Sequence, residues 1–576
     1  MKKNLSIEHL IYGGELHDEL QPLRIADVKF TTTYYILWTN IGVMLLPKTE
    51  VQKNIGMSLN QLLEKKGIRI EIDLYSRTCK PFRSKSTGRK KSDESDFDLY
   101  YAEEVSPMEL KFYVHQGKRV ARLTWHFDNT FSVDWKNDGI YRINSNWEGD
   151  LVIASCSSIK TVTKEGAVEL KECNVKGEYP WELSAVPSRG EWGVKNGSFL
   201  SPDAKKVAFY LVDSSKVRTY CNRSFTFRNN VSEDFVTKKK KLNFPFAGTS
   251  LSFKYPMAGE PSEKIRVGIA DFETNNVAFI DVFKESEMDI PQMCHEESYF
   301  TNICWTPDSK SLLLCELERS QHYFQAKMYD AATGRLQKLL FDERSERYVE
   351  PETPFVFIDE NRFLFLSQRS GHNHLSLYDI KKETIEPLTK GDWDVVDTPQ
   401  WNEKNRTAYV TTTCISPINR TILKVPLKDD VEVFKDEEGV QRFFFNNDGA
   451  EYVLCNETKN TAGVAYFGNY AYPIENPFAE FDFPTQIIGK FHANGDDLYY
   501  RVTYRPECIE KGKKSPVLFY VYGGPHVQMI TNRFGTETKG MEEYFANEGY
   551  IVYCVDPHGS ANRGAAFESV IYQRMN

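Results

Sequence analysis

The sequence is poor in the residues that mark several protein classes. Its 576 residues include only 34 Gly and 25 Pro, which excludes collagen-like and largely disordered chains. The 11 Cys form no Cys-x-x-Cys pair, so buried, reduced thiols are expected rather than a disulfide framework or a zinc site. No apolar run approaches the roughly 20 residues that cross a bilayer. The formal net charge of -9 argues against nucleic acid as a partner, because phosphate binding needs a basic face.

The residues that are abundant favour β structure. The chain is 41% hydrophobic and 13% aromatic, with 37 Phe and 31 Tyr, a composition typical of strands. A chain of this length exceeds one ordinary domain, so we expect two domains, one of them large. Met1-Lys-Lys resembles the start of an export signal, but Glu8 and His9 interrupt the apolar run that should follow. A cytoplasmic location is therefore expected, with the periplasm as the alternative.

A β-propeller is predicted for residues 21–475, after an N-terminal segment of residues 1–20. Short apolar runs such as Lys206–Val212 and Arg362–Ser367 alternate there with polar turns. Similar turns, for example Ser201-Pro-Asp and Thr306-Pro-Asp, recur at one or two multiples of the roughly 40–50 residues of a four-stranded blade. A series of two-sheet sandwiches is the alternative, but no Pro/Gly/Ser-rich linker divides the region.

The pattern becomes α/β over residues 482–576. Gln486–Phe491 and Leu498–Tyr504 read as a hairpin. Pro516–Tyr522 is a continuous apolar run, as expected for a strand covered on both faces. Met541, Tyr544 and Phe545 would form one face of a helix ended by Gly549, before a second buried strand at Tyr550–Val555. A strand, a helix and a strand in this order predict a parallel sheet.

Two loops follow the predicted parallel strands at the edge where open α/β sheets bind ligands. Tyr522-Gly-Gly-Pro-His526 places a phenol hydroxyl there, and a phenol carries its proton at neutral pH and can stabilise an oxyanion. A core tyrosine before a structural turn is the alternative. Asp556-Pro-His-Gly-Ser560 follows the second strand, and His558 is expected to be a turn histidine because no nucleophile lies within the motif.

Motifs in both parts of the chain occur together in one peptidase family. In the α/β part they are Lys514-Ser-Pro516, Tyr522-Gly-Gly-Pro-His526 with Gln528, and Asp556 to Gly564. In the propeller they are Glu191-Trp-Gly-Val-Lys-Asn-Gly197, Tyr255-Pro-Met-Ala-Gly259, Trp305-Thr-Pro-Asp308 and Ser367-Gln-Arg-Ser-Gly-His-Asn-His374. In this order they resemble dipeptidyl peptidase IV-like members of the prolyl oligopeptidase superfamily, from about residue 150 to residue 576.

The resemblance implies a fold, an activity and two site residues. The fold is mainly β, with an eight-bladed propeller before the incomplete start of an α/β-hydrolase domain. The activity is that of a serine exopeptidase that releases N-terminal dipeptides, usually ending in Pro, while the propeller gates the substrate. Tyr522 would be an oxyanion-hole donor, and Glu191 would bind the ammonium group of a peptide with a free N-terminus, with Glu182 as an alternative acid. No cofactor is implied, and a homodimer is allowed for the full-length parent.

The catalytic triad is missing from the sequence. No Gly-x-Ser-x-Gly elbow occurs in the 576 residues, and the Asp and His that follow it in this fold are missing too. We therefore expect a fragment or truncated product of a peptidase, inactive alone, whose open sheet edge exposes apolar surface and promotes aggregation.

Two alternatives remain at the level of sequence. The first is a propeller that binds peptides or proteins without catalysis. The second is a metal site at His372 and His374, whose spacing could place both on one face of a strand. Because no third ligand lies near them, no metal is expected there.

Overall fold

A computed structural model describes most of the chain. The described residues are 3, 6, 9, 20–73, 78–82, 98–106, 109–116, 119–126, 130–136, 142–145, 151–154, 159–163, 166–169, 198–203, 205–213, 216–224, 249–271, 274, 277–280, 282, 290–351, 354–446, 449–510, 512, 514–535 and 540–574. They divide between two compact units, one made of residues 1–138 and 355–576 and the other of residues 139–354. Within them, no helix has the length and apolar character needed to span a bilayer.

The first unit begins with two antiparallel sheets. The first sheet contains β1 to β5, which are Ile25–Phe30, Tyr34–Thr39, Gly42–Pro47, Ile68–Asp73 and Thr78–Phe82. Two short helices, α1 (Lys48–Lys53) and α2 (Leu59–Lys66), lie between β3 and β4 and were not predicted. The second sheet contains β6 to β9, which are Asp98–Ser106, Glu109–Gln116, Arg119–His126 and Thr130–Lys136.

The second unit contains three four-stranded antiparallel sheets and a hairpin. The first of these sheets is β10 to β13, at Arg142–Ser145, Leu151–Ala154, Ile159–Thr163 and Gly166–Glu169. The next contains β14 (Ser198–Leu200), β15 (Lys206–Asp213), β18 (Lys264–Asp271) and β19 (Val277–Phe279), and the hairpin of β16 (Thr219–Ser224) and β17 (Thr249–Lys254) is inserted between β15 and β18. The third is β20 to β23, at Tyr299–Trp305, Ser311–Leu317, Tyr323–Asp330 and Leu336–Arg344.

The first unit resumes with three more four-stranded sheets. They are β24 to β27 (Val356–Phe357, Arg362–Ser367, His374–Asp379, Thr384–Pro387), β28 to β31 (Gln400–Asn402, Thr407–Thr412, Thr421–Pro426, Glu432–Val433) and β32 to β35 (Val440–Phe445, Tyr452–Thr458, Thr461–Phe467, Tyr470–Pro473). Each is an antiparallel meander in chain order, as in a propeller blade.

The last sheet is of mixed type. It contains β36 (Thr485–Ala493), β37 (Asp496–Tyr504), β38 (Val517–Val521) and β39 (Ile551–Val555), in the spatial order β36-β37-β39-β38. The pair of β38 and β39 is parallel, as predicted. A short 3-10 helix covers Pro506–Ile509, α3 covers Met541–Asn547 before β39, and α4 covers Ala565–Ser569 after it.

The described sheets confirm a mainly β chain with an N-terminal propeller and an α/β sheet after it. Up to residue 473 they include eight antiparallel sheets of at least four strands, the number of blades that the resemblance implies. The two runs that indicated strands most clearly are β15 and β25. The predicted boundaries at residues 21–475 and 482–576 stay a prediction.

The same turn chemistry recurs in two blades, where it joins β14 to β15 and β20 to β21. The Ser201 hydroxyl donates to Oδ1 of Asp203 at 2.6 Å and accepts from the Lys206 N–H at 2.9 Å. Thr306 makes the same two bonds, to Asp308 at 2.7 Å and from Ser311 at 3.0 Å. In both turns the hydroxyl accepts a backbone N–H of the turn and donates to the carboxylate two residues later. The turn's hydrogen bonds are therefore made by its own residues, which is typical of this kind of motif.

The first sheet packs against the last blade of the propeller. One buried cluster joins side chains of β1 to β3, α1 and α2 to β33, β34 and β35, including Phe467 and Tyr472, which are 1% and 0% exposed. The Tyr472 hydroxyl donates to the Val51 carbonyl, and Lys48 pairs with Glu451 at 2.5 Å. Residues more than 400 positions apart in the chain therefore share one core.

A buried ionic cluster lies inside the sheet of β20 to β23. The Lys327 ammonium is 2.8 Å from Oε2 of Glu316, and both side chains are fully buried. His295 approaches Oε1 of the same carboxylate at 2.8 Å. Burial opposes ionisation of Glu316, but His295 and Lys327 outweigh it and hold the pKa of this carboxyl below its usual value.

We expect Lys327→Met to lower the free energy of unfolding by about 3–5 kcal/mol, because the substitution leaves a buried carboxylate without its ammonium partner. Denaturant titration followed by tryptophan fluorescence measures the change. The control is Lys310→Met, since Lys310 is 3.6 Å from Asp308 in an exposed pair and should contribute less than about 1 kcal/mol. Equal losses in the two variants would contradict this prediction.

Candidate functional site

The parallel strands β38 and β39 present two loops at their carboxyl ends. The first, here called the Tyr522 loop, covers residues 522–528. The second, the Asp556 loop, covers residues 556–564. The His526 N–H donates to the Gly559 carbonyl at 3.2 Å, so the two loops are in contact. This edge of the sheet is where open α/β sheets bind their ligands.

Tyr522 is not buried in packing. Its side chain is 42% exposed, and it directly follows the last residue of β38. The phenol is therefore accessible at the carboxyl-end edge of the sheet, here called the rim, which consists of the Tyr522 loop and the Asp556 loop. This position is compatible with a hydrogen-bond donor for a ligand. The role assigned to it from the resemblance stays a prediction.

The strand that carries Tyr522 differs from its prediction. The run of residues 516–522 was predicted to be covered on both faces, but β38 is the edge of the sheet. Val517, Phe519 and Val521 are 49%, 67% and 63% exposed. The prediction was wrong because a continuous apolar run indicates only that a strand needs cover, whereas none of the described residues supplies that cover here.

The segment after the Tyr522 loop is held by a buried carboxylate. Asp556, 3% exposed, accepts the Met529 N–H at 2.7 Å through Oδ1 and the Ile530 N–H at 3.0 Å through Oδ2. The Met529 carbonyl accepts from Nη1 of Arg501 at 3.0 Å. Both backbone groups of Met529 are thus fixed from the sheet side.

Arg501 also explains why the helix α3 differs from its prediction. Met541, Tyr544 and Phe545 were predicted to share one face of the helix; Met541 is 47% exposed, and Glu542 is buried, which was not predicted. Arg501 and Glu542 form two hydrogen bonds, at 2.8 and 2.6 Å, with both side chains almost fully buried. This bidentate pair sets which face of the helix points inward. Gly549, with a φ of 90°, follows the end of the helix as predicted.

The propeller contacts the Asp556 loop through Asp394. This side chain, 3% exposed, accepts the Gly564 N–H at 2.8 Å through Oδ2 and the Asn373 N–H at 2.7 Å through Oδ1. The Ala565 N–H donates to the Gly371 carbonyl at 2.9 Å. The start of α4 is therefore anchored on the propeller.

The predicted candidate histidines have structural partners. His374 places Nδ1 3.0 Å from the Thr389 hydroxyl and Nε2 2.9 Å from the Gly391 carbonyl. His372 lies 3.4 Å from Asp394, and its ring centroid is 6.4 Å from that of His374. His558 places Nε2 2.9 Å from Asp496.

The predicted amine-binding residues cannot be placed. Glu191 and its alternative Glu182 both lie outside the described residues. Two contacts of the rim were not found from the sequence, namely Asp394 with Gly564 and Gln528 with the turn of residues 417–420. For the second contact the sequence offered one signal, Gln528 in the family motif, but its partner could not be known from the sequence. For the first contact the sequence offered no signal.

The fold and the rim together define a class of protein, in which a β-propeller is followed by an α/β sheet with two loops at the carboxyl ends of its parallel strands. Residues 189–462 match the family model described as the dipeptidyl peptidase IV N-terminal region. Two proteins named probable dipeptidyl-aminopeptidase B are similar in sequence. The one from Arthroderma gypseum is 24% identical over 74% of this chain and 47% of its own length, and the one from Sclerotinia sclerotiorum is 27% identical over 83% and 50%.

Solved structures agree in fold. A putative dipeptidyl aminopeptidase IV from Bacteroides ovatus has a TM-score of 0.72 and 23% identity, over 100% of this chain and 77% of that one. Porphyromonas gingivalis dipeptidyl peptidase 4 has a TM-score of 0.68 and 16% identity, over 99% and 76%. The chain is therefore similar in sequence to dipeptidyl-aminopeptidases and similar in fold to dipeptidyl peptidase IV-like proteins. It spans about half the length of the curated relatives it matches.

The contact of His372 with Asp394 predicts a pH-dependent stability. The Asp394 carboxylate, 3.4 Å away, raises the pKa of His372, burial opposes the rise, and Asp392 and Glu568 add attraction for the charged ring. A raised pKa in the folded state stabilises the fold below the unfolded value of about 6.5, and this contribution is lost as the pH rises through the folded value.

We therefore expect His372→Gln to reduce the free energy of unfolding more at pH 5.5 than at pH 8, as measured by urea titration at both pH values. The control is His492→Gln, because His492 pairs with Asp497 on an exposed hairpin, with 67% of its side chain accessible. It should change stability by less than about 1 kcal/mol at either pH. A deficit in His372→Gln that is the same at both pH values would contradict the prediction.

Proposed function

We propose that this chain contributes the propeller and the oxyanion-binding rim of a serine-type dipeptidyl aminopeptidase. The observation that carries the proposal is the position of Tyr522, exposed at the carboxyl end of a parallel strand in a chain of this family. The substrates would be peptides with a free N-terminus, cleaved after a penultimate residue that is usually Pro. The propeller would gate their access.

The chemistry assigned to Tyr522 is electrostatic. Attack on the scissile carbonyl turns its oxygen into an oxyanion, and a neutral phenol can donate a hydrogen bond to it without losing its proton. Glu191 would bind the substrate's ammonium group through charge-assisted hydrogen bonds and so set the distance from the N-terminus to the cleaved bond.

The nucleophile would come from outside these 576 residues, since they contain no Gly-x-Ser-x-Gly. The free edge of β38 is the proposed attachment point. A further parallel strand could pair with its unpaired backbone groups and cover Val517, Phe519 and Val521. This strand would bring the serine next to the Tyr522 loop.

The first experiment compares this chain with the product of the complete reading frame. Both are treated with a fluorophosphonate probe and assayed with Gly-Pro-p-nitroanilide. We expect no labelling and no turnover for the 576 residues alone, and both for the complete product. A complete product that binds peptides but is neither labelled nor active would instead support a non-catalytic propeller that binds peptides or proteins.

In the complete product, Tyr522→Phe should lower kcat for Gly-Pro-p-nitroanilide by about 10²-fold or more, the usual effect of losing one oxyanion donor. Steady-state kinetics measures it, and unchanged KM shows that the loss occurs in the transition state. The matched control is Tyr520→Phe, which removes a hydroxyl from the preceding strand at a similarly exposed side chain, 40% accessible. Unchanged turnover in Tyr522→Phe removes this residue from the mechanism.

Glu191→Gln should weaken the use of substrates with a free amino terminus and spare blocked ones, because only the free terminus carries the charge that a carboxylate recognises. The ratio of kcat/KM for Gly-Pro-p-nitroanilide to that for its N-acetylated form measures the effect, and we expect this ratio to fall about tenfold or more. Equal losses on both substrates would show that Glu191 is not the amine anchor.

A further inference from the structure

The phenol ring of Tyr522 lies directly over a glycine of its own loop. A Cβ atom added to Gly524 would be 3.0 Å from Cε1, 3.1 Å from Cζ and 3.1 Å from the hydroxyl oxygen of Tyr522. Real Cβ atoms rarely approach other atoms so closely, so the ring would have to move by a few tenths of an ångström. The atoms that would be pushed include the hydroxyl itself.

The neighbouring glycine provides a direct comparison. A Cβ atom added to Gly523 would meet nothing within 4 Å. Neither glycine has a left-handed φ, so alanine is compatible with the backbone at both positions. Only the space in front of the ring distinguishes them.

The far end of the same loop is fixed to the propeller. Oε1 of Gln528 accepts from Nη2 of Arg420 at 2.6 Å and from Nδ2 of Asn562 at 3.2 Å. Its Nε2 donates to the Pro417 carbonyl at 2.9 Å. Pro417 and Arg420 belong to the turn between β29 and β30, and Asn562 belongs to the Asp556 loop. One amide side chain thus joins three segments.

The middle of the loop is held in an uncommon conformation. His526 has a φ of 65°, in the left-handed region that few residues other than glycine adopt. Such a conformation persists only where the surroundings impose it, and here the His526 N–H is bonded to the Gly559 carbonyl. The path from Tyr522 to Gln528 is therefore determined along its length.

We propose that Gly524 and Gln528 are positioning residues for the Tyr522 hydroxyl, with Gly524 seating the ring and Gln528 fixing the loop to the propeller. This inference rests on the proposed function, in which the hydroxyl must reach about 2.7–3.1 Å from the developing oxyanion. A shift of a few tenths of an ångström away from the oxyanion moves that bond to or past about 3.0 Å, the upper end of the O–H···O range. The propeller would then set the geometry of the oxyanion site as well as gate it.

The first test uses the 576-residue chain and needs no activity. 3-Fluorotyrosine is incorporated at position 522 alone, and its fluorine resonance is recorded in the parent, Gly524→Ala and Gly523→Ala. We expect the resonance to move by several linewidths in Gly524→Ala and by less than one linewidth in Gly523→Ala. An unmoved resonance in Gly524→Ala, or equal movements in the two variants, overturns the assignment of Gly524.

Gln528 is tested with the same probe. Gln528→Ala removes all three hydrogen bonds and should shift or broaden the resonance. Gln528→Glu keeps the acceptor for Arg420 and Asn562 and should restore most of the parent signal. Thermal unfolding of each variant shows that spectra are recorded on folded protein. A parent-like resonance in Gln528→Ala overturns the role of Gln528.

Kinetics of the complete product separates this inference from the proposed function. Gly524→Ala should lower kcat about tenfold or more with KM changed less than about twofold, and Gly523→Ala should leave kcat within about twofold. In a Tyr522→Phe background, Gly524→Ala should cause no further loss, because the group it displaces is already absent. A moved resonance with full activity in Tyr522→Phe overturns the proposed role of Tyr522 but supports the positioning.

Discussion

The rim of the α/β sheet depends on hydrogen bonds with the propeller, of which the bond to Asp394 is fully buried. Asp394 receives the Gly564 N–H at 2.8 Å, and Asn532 donates Nδ2 to Asn419 at 3.0 Å and its N–H to the Ile418 carbonyl at 2.8 Å. A buried donor or acceptor left without its partner costs about 1–3 kcal/mol, so neither surface can shift without losing several such bonds. The loops that follow β38 and β39 consequently have fixed positions relative to these blades.

The exposed edge of β38 shows the opposite situation. Three of its apolar residues are exposed and no other described strand pairs with its outer edge, although the strand pairs with β39 along its full length. Exposed edges of this kind pair readily with other strands. The same edge is therefore the place that the proposed function assigns to a further strand and the place where the aggregation expected from the sequence would begin.

The agreement between sequence and structure follows the range of the interactions involved. Strands such as β25 were predicted well. Short apolar runs, and turns such as Thr306-Pro-Asp between them, are local signals in the sequence. The helix α3 was predicted, but the burial of Glu542 was not, because its partner Arg501 lies 41 positions earlier in the chain. No local pattern reports that a charged residue will find its partner in the core.

The sequence by itself determined the blade pattern, the later change to α/β structure, the resemblance to dipeptidyl peptidase IV-like proteins and the two rim loops, because periodicity, turn residues and motif order are contained in short stretches of chain. Only the tertiary structure decided that Tyr522 is exposed above Gly524, that Gln528 is bound by Arg420 of the propeller, and that β38 is an open edge. These features depend on contacts between residues far apart in the chain, and such contacts are fixed only when the sheets pack.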